Sequence, residues 1–212
     1  MINQSISESY GTLYVISSPS GGGKTTLVSQ LLECTPDIAR AITHTTRAPR
    51  PDEKDGIHYY FASVDEFNAL VEADGFLEYA QVFRNSYGTS KKEVISKLKR
   101  GIDVVLVIDW QGAQQVRIAA PSAVTIFILP PSINALRARL LTRNQDSFAV
   151  VETRMEDAIN QISHYTEFDY LVINDDFDMA LAQLRAIIIS RRLRNSVQVR
   201  RHDSLIKSLL EG

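Results

Sequence analysis

A contiguous run near the start of the chain combines glycines, a lysine and hydroxyl side chains in an order suited to binding phosphate. The run consists of Ser18, Pro19, Ser20, Gly21, Gly22, Gly23, Lys24 and Thr25. Glycines allow the backbone to curl so that successive N–H groups point at phosphate oxygens, and a following helix adds the positive end of its dipole. In such loops the lysine reaches the β- and γ-phosphates, and the threonine hydroxyl ligates Mg²⁺. We therefore predict a P-loop that binds a nucleoside triphosphate, with Thr25 as the metal ligand.

The segments on either side of this run supply the context that a P-loop requires. Residues 12–17 predict a buried strand, and residues 25–33 predict the helix after it. The usual pattern is G-x-x-x-x-G-K-[ST], and Ser18 takes the place of its first glycine. The alternative is a glycine-rich turn between strand and helix with a coincidental lysine, and the strand–turn–helix context favours the P-loop over it. The P-loop alone leaves ATPase, GTPase, kinase and motor functions open.

The rest of the chain alternates short apolar runs with helical patterns. The apolar runs cover residues 104–108, 124–129 and 170–173, and the helical patterns cover residues 133–143, 150–165 and 177–194. Continuous apolar runs are typical of parallel strands that are covered on both faces. The alternation predicts an α/β fold with a central parallel sheet flanked by helices.

Two stretches interrupt this alternation. Residues 43–99 hold short strand-like pieces at 58–61 and 76–83, together with two helix starts, and they predict a small lobe inserted into the main domain. Residues 142–147 are polar and lie between two helical patterns. Such a segment is either a lid over a binding site or an ordinary surface loop.

The composition is that of an ordinary globular chain. The 212 residues are 44% apolar and 23% charged, which fits one domain or a core with small mobile insertions. The net charge of −2 gives no bulk reason to expect nucleic acid or an anionic membrane as a partner. The basic stretch at 190–202 lacks the interleaved aromatic residues that stack on bases, so we expect a solvated helix end there.

The sequence also carries indications of cellular location. No apolar run approaches the roughly 18 residues that a membrane-spanning helix needs. The first ten residues lack the basic start and apolar stretch of a secretory signal. Cys34 is the only cysteine, so no internal disulfide can form. We therefore expect a cytoplasmic protein without a membrane partner.

Several segments downstream of the P-loop, in matching order and at matching intervals, resemble those of guanylate kinases. They are residues 43–50 (THTTRAPR), 55–61 (DGIHYYF), 76–80 (FLEYA), 87–89 (YGT), 108–112 (IDWQG), 128–132 (ILPPS) and 172–176 (VINDD). The resemblance runs from residue 11 to residue 192. It implies a P-loop nucleoside monophosphate kinase fold with a GMP-binding lobe at about 43–99 and a lid at about 139–154. A helical, basic tail would follow at 193–212.

The resemblance also implies a reaction. Guanylate kinases transfer the γ-phosphoryl group of ATP to GMP, giving ADP and GDP, and Mg²⁺ accompanies the ATP. Arg47 and Arg50 match arginines that hold the GMP phosphate, and a planar guanidinium suits this task because it can donate two hydrogen bonds to phosphate oxygens. Tyr59 and Tyr87 match tyrosines whose hydroxyls contact the same phosphate.

Glu78 matches the residue that reads the guanine base. An ionised carboxylate can accept hydrogen bonds from guanine N1–H and from the exocyclic N2 amine together. Adenine has a lone pair at N1 and no N2 amine, so such a site rejects it. Thr43 and Thr89 match hydroxyl residues near the base, and Thr43 stands where many family members have serine.

Further matches concern the ATP side of the reaction. Lys24, Arg143 and Arg154 resemble groups that stabilise charge during the transfer, the two arginines closing over ATP from the lid. Arg139 is a further ATP-binding candidate, although an arginine at a helix end often serves only to solvate the surface. Asn144 stands where the family commonly has glycine at the lid.

Two polar residues follow apolar runs of the predicted sheet. Asp109 comes directly after the run at 104–108, and it matches an aspartate near the Mg²⁺ waters and the acceptor, so it is a catalytic and GMP-binding candidate. Val107 stands where the family commonly has a second aspartate, so we assign the metal to Thr25 and the phosphates. Asn174 matches an asparagine that we assign to GMP binding.

Two alternatives to a GMP kinase remain at this point. One keeps the fold and changes the acceptor to a phosphorylated sugar, but the joint presence of all the acceptor-site matches argues against it. The other is a peptide-binding scaffold module that has lost catalysis. Such modules usually have degraded phosphate loops, whereas Gly23, Lys24 and Thr25 are all present. The sequence leaves the oligomeric state open, a homo-oligomer included.

Overall fold

The order of strands and helices follows the alternation seen in the sequence. The computed structural model describes residues 2–7, 9–82, 84–143 and 148–212. The strands, in chain order, are β1 (Leu13–Ser17), β2 (Ile38–Arg40), β3 (Thr43–Thr45), β4 (Tyr60–Phe61), β5 (Phe76–Val82), β6 (Asn85–Ser90), β7 (Asp103–Val107), β8 (Val124–Leu129) and β9 (Tyr170–Ile173). The helices are α1 (Ile2–Ser7), α2 (Lys24–Cys34), α3 (Val64–Glu72), α4 (Lys91–Lys99), α5 (Trp110–Ala119), α6 (Ile133–Arg143), α7 (Phe148–Ser163), α8 (Phe177–Arg192), α9 (Asn195–Arg201) and α10 (Asp203–Glu211).

A five-stranded parallel sheet forms the centre of the molecule, in the order β2-β7-β1-β8-β9. Every residue of β1 is buried, because successive side chains of this central strand point to opposite covered faces. Tyr14 and Ile16 pack with α2 and α8 on one face, and Leu13 and Val15 pack with α4 and α5 on the other. The predicted parallel sheet flanked by helices is therefore confirmed.

A second sheet of four strands, in the order β4-β3-β6-β5, lies within the segment predicted to be an inserted lobe. β3 and β6 are antiparallel, and their register sets Thr43 opposite Thr89 and Thr45 opposite Tyr87. The strand predicted at 58–61 is wrong in its first half, since only Tyr60–Phe61 pairs with β3. The sequence pattern also does not predict β2 or β3, which are three residues each.

The helix α4 belongs to the packing of the parallel sheet, although it lies within the same segment of the chain. Its buried residues Val94 and Leu98 join Leu13, Val15 and Leu106 in one apolar cluster. Full burial of a Val or Leu side chain contributes roughly 1.5–3 kcal/mol. This packing therefore anchors the C-terminal end of the lobe segment to the central sheet.

The helices α6 and α7 form a separate unit beside the sheet. Leu136 and Leu140 of α6 pack against Met155 and Ala158 of α7 in their own apolar cluster. Residues 144–147, which include Asn144 and the centre of the predicted lid, lie outside the described residues. None of the helices in the described ranges combines the length and the apolar character needed to cross a bilayer.

Candidate active site

The phosphate loop connects the carboxyl end of β1 to α2. Gly21 and Gly23 have φ angles of 82° and 89°, in the left-handed region that favours glycine. A side chain at Gly23 is excluded for a second reason, since a Cβ there would lie 2.3 Å from Asn174 Nδ2. Lys24 is the first residue of α2, so the loop backbone and the helix N-terminus face the same space.

Two side chains from distant parts of the chain brace this loop. Asn174 Nδ2 donates a hydrogen bond to the Gly22 carbonyl oxygen at 3.0 Å. Arg139 Nη2 donates in turn to the Asn174 carbonyl oxygen at 2.9 Å. Arg139 Nη1 is buried beside the loop without a hydrogen-bond partner in the described part of the chain. An arginine donor held next to a phosphate loop suits contact with a triphosphate oxygen.

Two cavities meet beside this loop. The smaller, of about 170 Å³, is lined by the P-loop residues together with Asp109 and Gln161. The larger, of about 380 Å³, lies between the parallel sheet and the four-stranded sheet. Its lining residues are Lys24, Arg40, Thr43, Tyr59, Glu78, Ala80, Tyr87, Val107, Ile108, Asp109 and Gln161. Lys24, Asp109 and Gln161 line both cavities, so they stand where groups bound in the two cavities would meet.

Lys24 is held at this junction by the backbone of the neighbouring strand end. Its Nζ donates a hydrogen bond to the Ile108 carbonyl oxygen at 3.0 Å. The pKa of Lys24 is lowered to about 8 chiefly because the side chain is buried; the charge of Asp109 opposes this shift and the charge of Arg40 adds to it. A bound phosphate would oppose this shift, because an adjacent anion favours the charged form of an amine.

Glu78 is a buried carboxylate in the wall of the larger cavity. It lies on β5, is 4% exposed, and accepts a hydrogen bond from Thr89 Oγ1 at 2.6 Å. Burial raises the pKa of Glu78 to about 7, while the Thr89 hydrogen bond lowers it and the charge of Asp109 raises it. A buried carboxylate with a raised pKa in the wall of a cavity makes Glu78 a candidate functional residue.

The two lobe arginines are linked to one acidic residue. Arg47 Nη2 donates to the two carboxylate oxygens of Glu53 at 2.8 and 2.7 Å, and its guanidinium lies 5.4 Å from the centre of the Tyr59 ring. The backbone N–H of Arg50 donates to the same carboxylate at 2.9 Å. These bonds, with that from Arg50 the larger, lower the pKa of Glu53. The pairing places Arg47 beside Tyr59, which lines the larger cavity.

The possible metal ligands are few in the part of the chain that is described. No group of three or more His, Cys, Asp or Glu side chains there could hold a metal ion alone. Thr25 lies at the first turn of α2 with its side chain exposed toward the smaller cavity. Asp109 accepts a hydrogen bond from the Gly112 N–H at 2.9 Å as the N-cap of α5. This donor set fits Mg²⁺, which takes most of its ligands from phosphates and water.

The larger cavity brings together most of the residues assigned to the acceptor from the sequence. Thr43, Tyr59, Glu78, Tyr87 and Asp109 line it, and Thr89 reaches it through its hydrogen bond to Glu78. Asn174 is placed differently, against the P-loop glycines rather than in this wall.

The lid arginines can be described only in part. Arg154 lies on α7, seven residues or about two helical turns before Gln161. Arg143 is the last residue of α6, and its side chain lies outside what the structure describes.

Two residues of the site are not predicted from the sequence. Gln161 Oε1 accepts a hydrogen bond from the Ser20 N–H at 2.9 Å, and so ties α7 to the P-loop. Arg40 ends β2 and lines the larger cavity. A polar residue at the carboxyl end of a parallel strand is a recognisable signal, but it depends on identifying β2 first. No local signal distinguishes Gln161 from other polar residues of its helix.

A doubly wound parallel sheet, a P-loop at its central strand and a second cavity sharing the loop lysine define a P-loop phosphotransferase that acts on nucleotides. Comparison with known proteins narrows this class. The family model for guanylate kinase matches residues 10–191. Guanylate kinases from Saccharophagus degradans and Hahella chejuensis are 53% and 54% identical to the chain, covering 94% and 95% of it and 98% and 97% of their own length. The chain therefore belongs to the guanylate kinase family.

A solved structure agrees with this assignment. The crystal structure of guanylate kinase from Anaplasma phagocytophilum matches the fold with a TM-score of 0.72 at 31% identity, and the match covers 92% of each chain.

Proposed function

We propose that the P-loop binds ATP and the larger cavity binds GMP, and that the γ-phosphoryl group crosses between them at Lys24. The chain is an ATP:GMP phosphotransferase, in keeping with guanylate kinase relatives at about 50% identity. The observation that supports this arrangement is that the two cavities are distinct but share Lys24 and Asp109, where the two bound phosphates would meet. With relatives so similar named as kinases, the scaffold alternative is dropped.

On the donor side, the loop amides and Lys24 would hold the β- and γ-phosphates, and Arg139 would contact the triphosphate through its unpaired Nη1. Asn174 keeps the loop in shape through Gly22, so its role is closer to ATP than to GMP. Mg²⁺ would be held by Thr25, with Asp109 near its waters, and supplies neutralisation of phosphate charge when bound.

On the acceptor side, the two recognition tasks fall to different parts of the cavity. Arg47, Arg50, Tyr59 and Tyr87 would hold the phosphate of GMP. Glu78 would accept hydrogen bonds from guanine N1–H and N2, with the hydroxyls of Thr43 and Thr89 beside the base. Thr89 donates to Oε1, and because each carboxylate oxygen has two lone pairs, Oε1 keeps one and Oε2 keeps both for the two guanine donors.

In the transfer step, an oxygen of the GMP phosphate forms a bond to the γ-phosphorus of ATP. The bond from that phosphorus to the bridging oxygen breaks, and ADP leaves with the electron pair. Lys24, Arg143 and Arg154 are proposed to stabilise the charge that spreads over the transferred group. Closure of the lid at about 139–154 would exclude water and so prevent hydrolysis of ATP.

The proposal extends to the setting of the enzyme. The GMP-binding lobe at 43–99 and the tail at 193–212 are retained as functional divisions. A cytoplasmic location is supported by the single cysteine, Cys34, and by the nucleotide substrates. A homo-oligomer is supported by large apolar side chains on the C-terminal helices, since Leu209 and Leu210 are 72% and 81% exposed.

A panel of acceptors tests the proposed function. The enzyme is supplied with ATP and Mg²⁺, and ADP release is measured with GMP, AMP, CMP, UMP and a phosphorylated sugar in turn. We expect ADP release with GMP alone. Equal rates with AMP would contradict the role of Glu78, and release with the sugar phosphate alone would establish the second acceptor class.

A further inference from the structure

Arg40 occupies a position in the fold where ligand-binding residues are common. It is the last residue of β2, and it pairs with Val105 of the neighbouring strand β7. Residues that contact ligands in open parallel sheets lie at the carboxyl ends of the strands. Arg40 lines the larger cavity at this edge, on the side of the cavity that also holds Lys24 and Asp109.

The charge of Arg40 acts on the transfer site. It lowers the pKa of Lys24, so the two cations face a common space. Across the described ranges, no carboxylate lies within 4.0 Å of the Arg40 guanidinium, and the hydrogen bonds found there involve only its backbone. A partly buried guanidinium on a cavity wall, with no anionic partner among the described residues, has donors available for a ligand.

The acidic residues of the cavity wall are already engaged by other donors. Glu78 accepts the hydrogen bond from Thr89, and Asp109 accepts that from the Gly112 N–H. Neither forms an ion pair with Arg40 among the described residues. The missing anion is therefore best supplied by a ligand, and a phosphate matches the forked geometry of a guanidinium.

We propose that Arg40 is a further phosphate-binding residue, which contacts the phosphate of GMP on the side that faces Lys24. This inference rests on the proposed function, which brings that phosphate into the larger cavity. Arg47 and Arg50 approach the phosphate from the four-stranded lobe, whereas Arg40 approaches from the parallel sheet. Because arginines from both sheets then hold the GMP phosphate, its attacking oxygen is oriented toward the γ-phosphate of the ATP bound at Lys24.

The test compares R40M, which removes the charge and keeps an unbranched apolar stem, with R40K, which restores a charge without the fork. R185M is the matched control, because Arg185 is an exposed arginine of α8 outside both cavities. Initial rates are measured with GMP varied and with ATP varied, and binding of GMP and of guanosine is measured by calorimetry. Thermal unfolding of each variant is recorded alongside.

For R40M we expect kcat/KM for GMP to fall about 10- to 100-fold, with the KM for ATP changed less than about twofold. GMP binding should weaken about tenfold and guanosine binding should not change, because guanosine lacks the phosphate. R40K should recover part of the loss, and R185M should match the unaltered enzyme.

Equal weakening of guanosine and GMP, an unchanged kcat/KM for GMP, or a loss explained by a lower Tm would each overturn the proposal. The unaltered enzyme in the same assay separates this result from a failure of the proposed function. If it does not use GMP at all, the function is wrong whatever Arg40 does.

Discussion

The phosphate loop and the proposed GMP-binding lobe represent two different ways to build a binding site for a phosphorylated nucleotide. The loop is eight consecutive residues of a type whose backbone N–H groups bind phosphate, and it follows a strand in which every residue is buried. The proposed lobe site is assembled from side chains dispersed between Thr43 and Asp109, on the four-stranded sheet and the segments beside it. A site formed by consecutive backbone groups can be predicted from a single sequence, whereas a site formed by dispersed side chains cannot.

The difference also concerns how each half is held. The loop is braced from outside by Asn174, Arg139 and Gln161, which come from three separate segments of the chain. The acceptor carboxylate Glu78 has the single brace of Thr89 and carries a raised pKa. We therefore expect ATP binding to depend mainly on the cations beside the loop. We expect GMP binding to depend on the hydrogen bonds of Glu78 and on pH.

Removal of Lys24, which lines both cavities, should give the largest loss of activity. K24M should lower kcat by about 10³-fold or more, because the transferred phosphoryl loses its nearest cation at the junction of the cavities. The fold should be retained, with Tm close to that of the unaltered enzyme. K92M, at an exposed lysine of α4, is the control and should leave kcat unchanged. Activity of K24M within tenfold of normal would contradict the shared role of Lys24.

Removal of the guanine reader should break the acceptor half only. E78Q keeps the size of the side chain and loses the charge and one acceptor, so kcat/KM for GMP should fall about 10²-fold, at about 1–3 kcal/mol for each impaired hydrogen bond. The KM for ATP should stay within about twofold. Discrimination between GMP and AMP should decrease in the same assay. A loss of ATP binding equal to the loss of GMP binding would contradict the separation of the two halves.

The fold was largely predictable from sequence, and the donor half of the site with it. The parallel strands are continuous apolar runs because they are covered on both faces, which is the clearest strand signal available. β2, β3 and β4 escape prediction in whole or part because strands of two or three residues have no periodicity to detect. β6 escapes it because its sequence, NSYGTS, has no alternation of apolar and polar residues. The acceptor residues became visible only through resemblance to a family, since nothing local distinguishes Glu78 from an outward-facing residue of an edge strand.

Contacts between side chains that are distant in the sequence could not be predicted. Arg40 could not be placed because its strand was not predicted. Gln161 touches the loop from 141 positions away in the sequence, and such a contact depends on how α7 packs. The contact of Asn174 with Gly22 was not predicted for the same reason, because the position of Asn174 at a strand end is predictable whereas its partner across the fold is not.

A pH titration sharpens the comparison further. If Glu78 accepts hydrogen bonds from guanine as proposed, GMP binding needs its ionised form, and burial raises the pKa of Glu78 to about 7. The affinity for GMP should therefore be level above pH 8 and should fall as pH drops below 7, approaching tenfold per unit. The GMP phosphate titrates in the same range, so E78Q serves as the control. The steep component should be absent from E78Q, and an identical slope in both proteins would exclude Glu78 as its source.

Removal of the hydrogen bond between Gln161 of α7 and the phosphate loop should have the smallest effect on activity, limited to ATP binding. Q161M removes the acceptor for the Ser20 N–H at nearly constant size, and the KM for ATP should rise about fivefold, as expected for the loss of one hydrogen bond. The KM for GMP should not change. Q161E retains an acceptor oxygen and should bring the KM for ATP back toward normal. Equal changes in both KM values would show that Gln161 supports the fold rather than the loop.

Calorimetric titration of the two halves separately tests the central claim most directly. A non-hydrolysable ATP analogue with Mg²⁺ and GMP are each titrated into the unaltered enzyme, R139M and E78Q. We predict a crossed result, in which R139M weakens the analogue and spares GMP, and E78Q weakens GMP and spares the analogue. If either variant weakens both ligands equally, the division into a triphosphate loop and a guanine-reading lobe is contradicted.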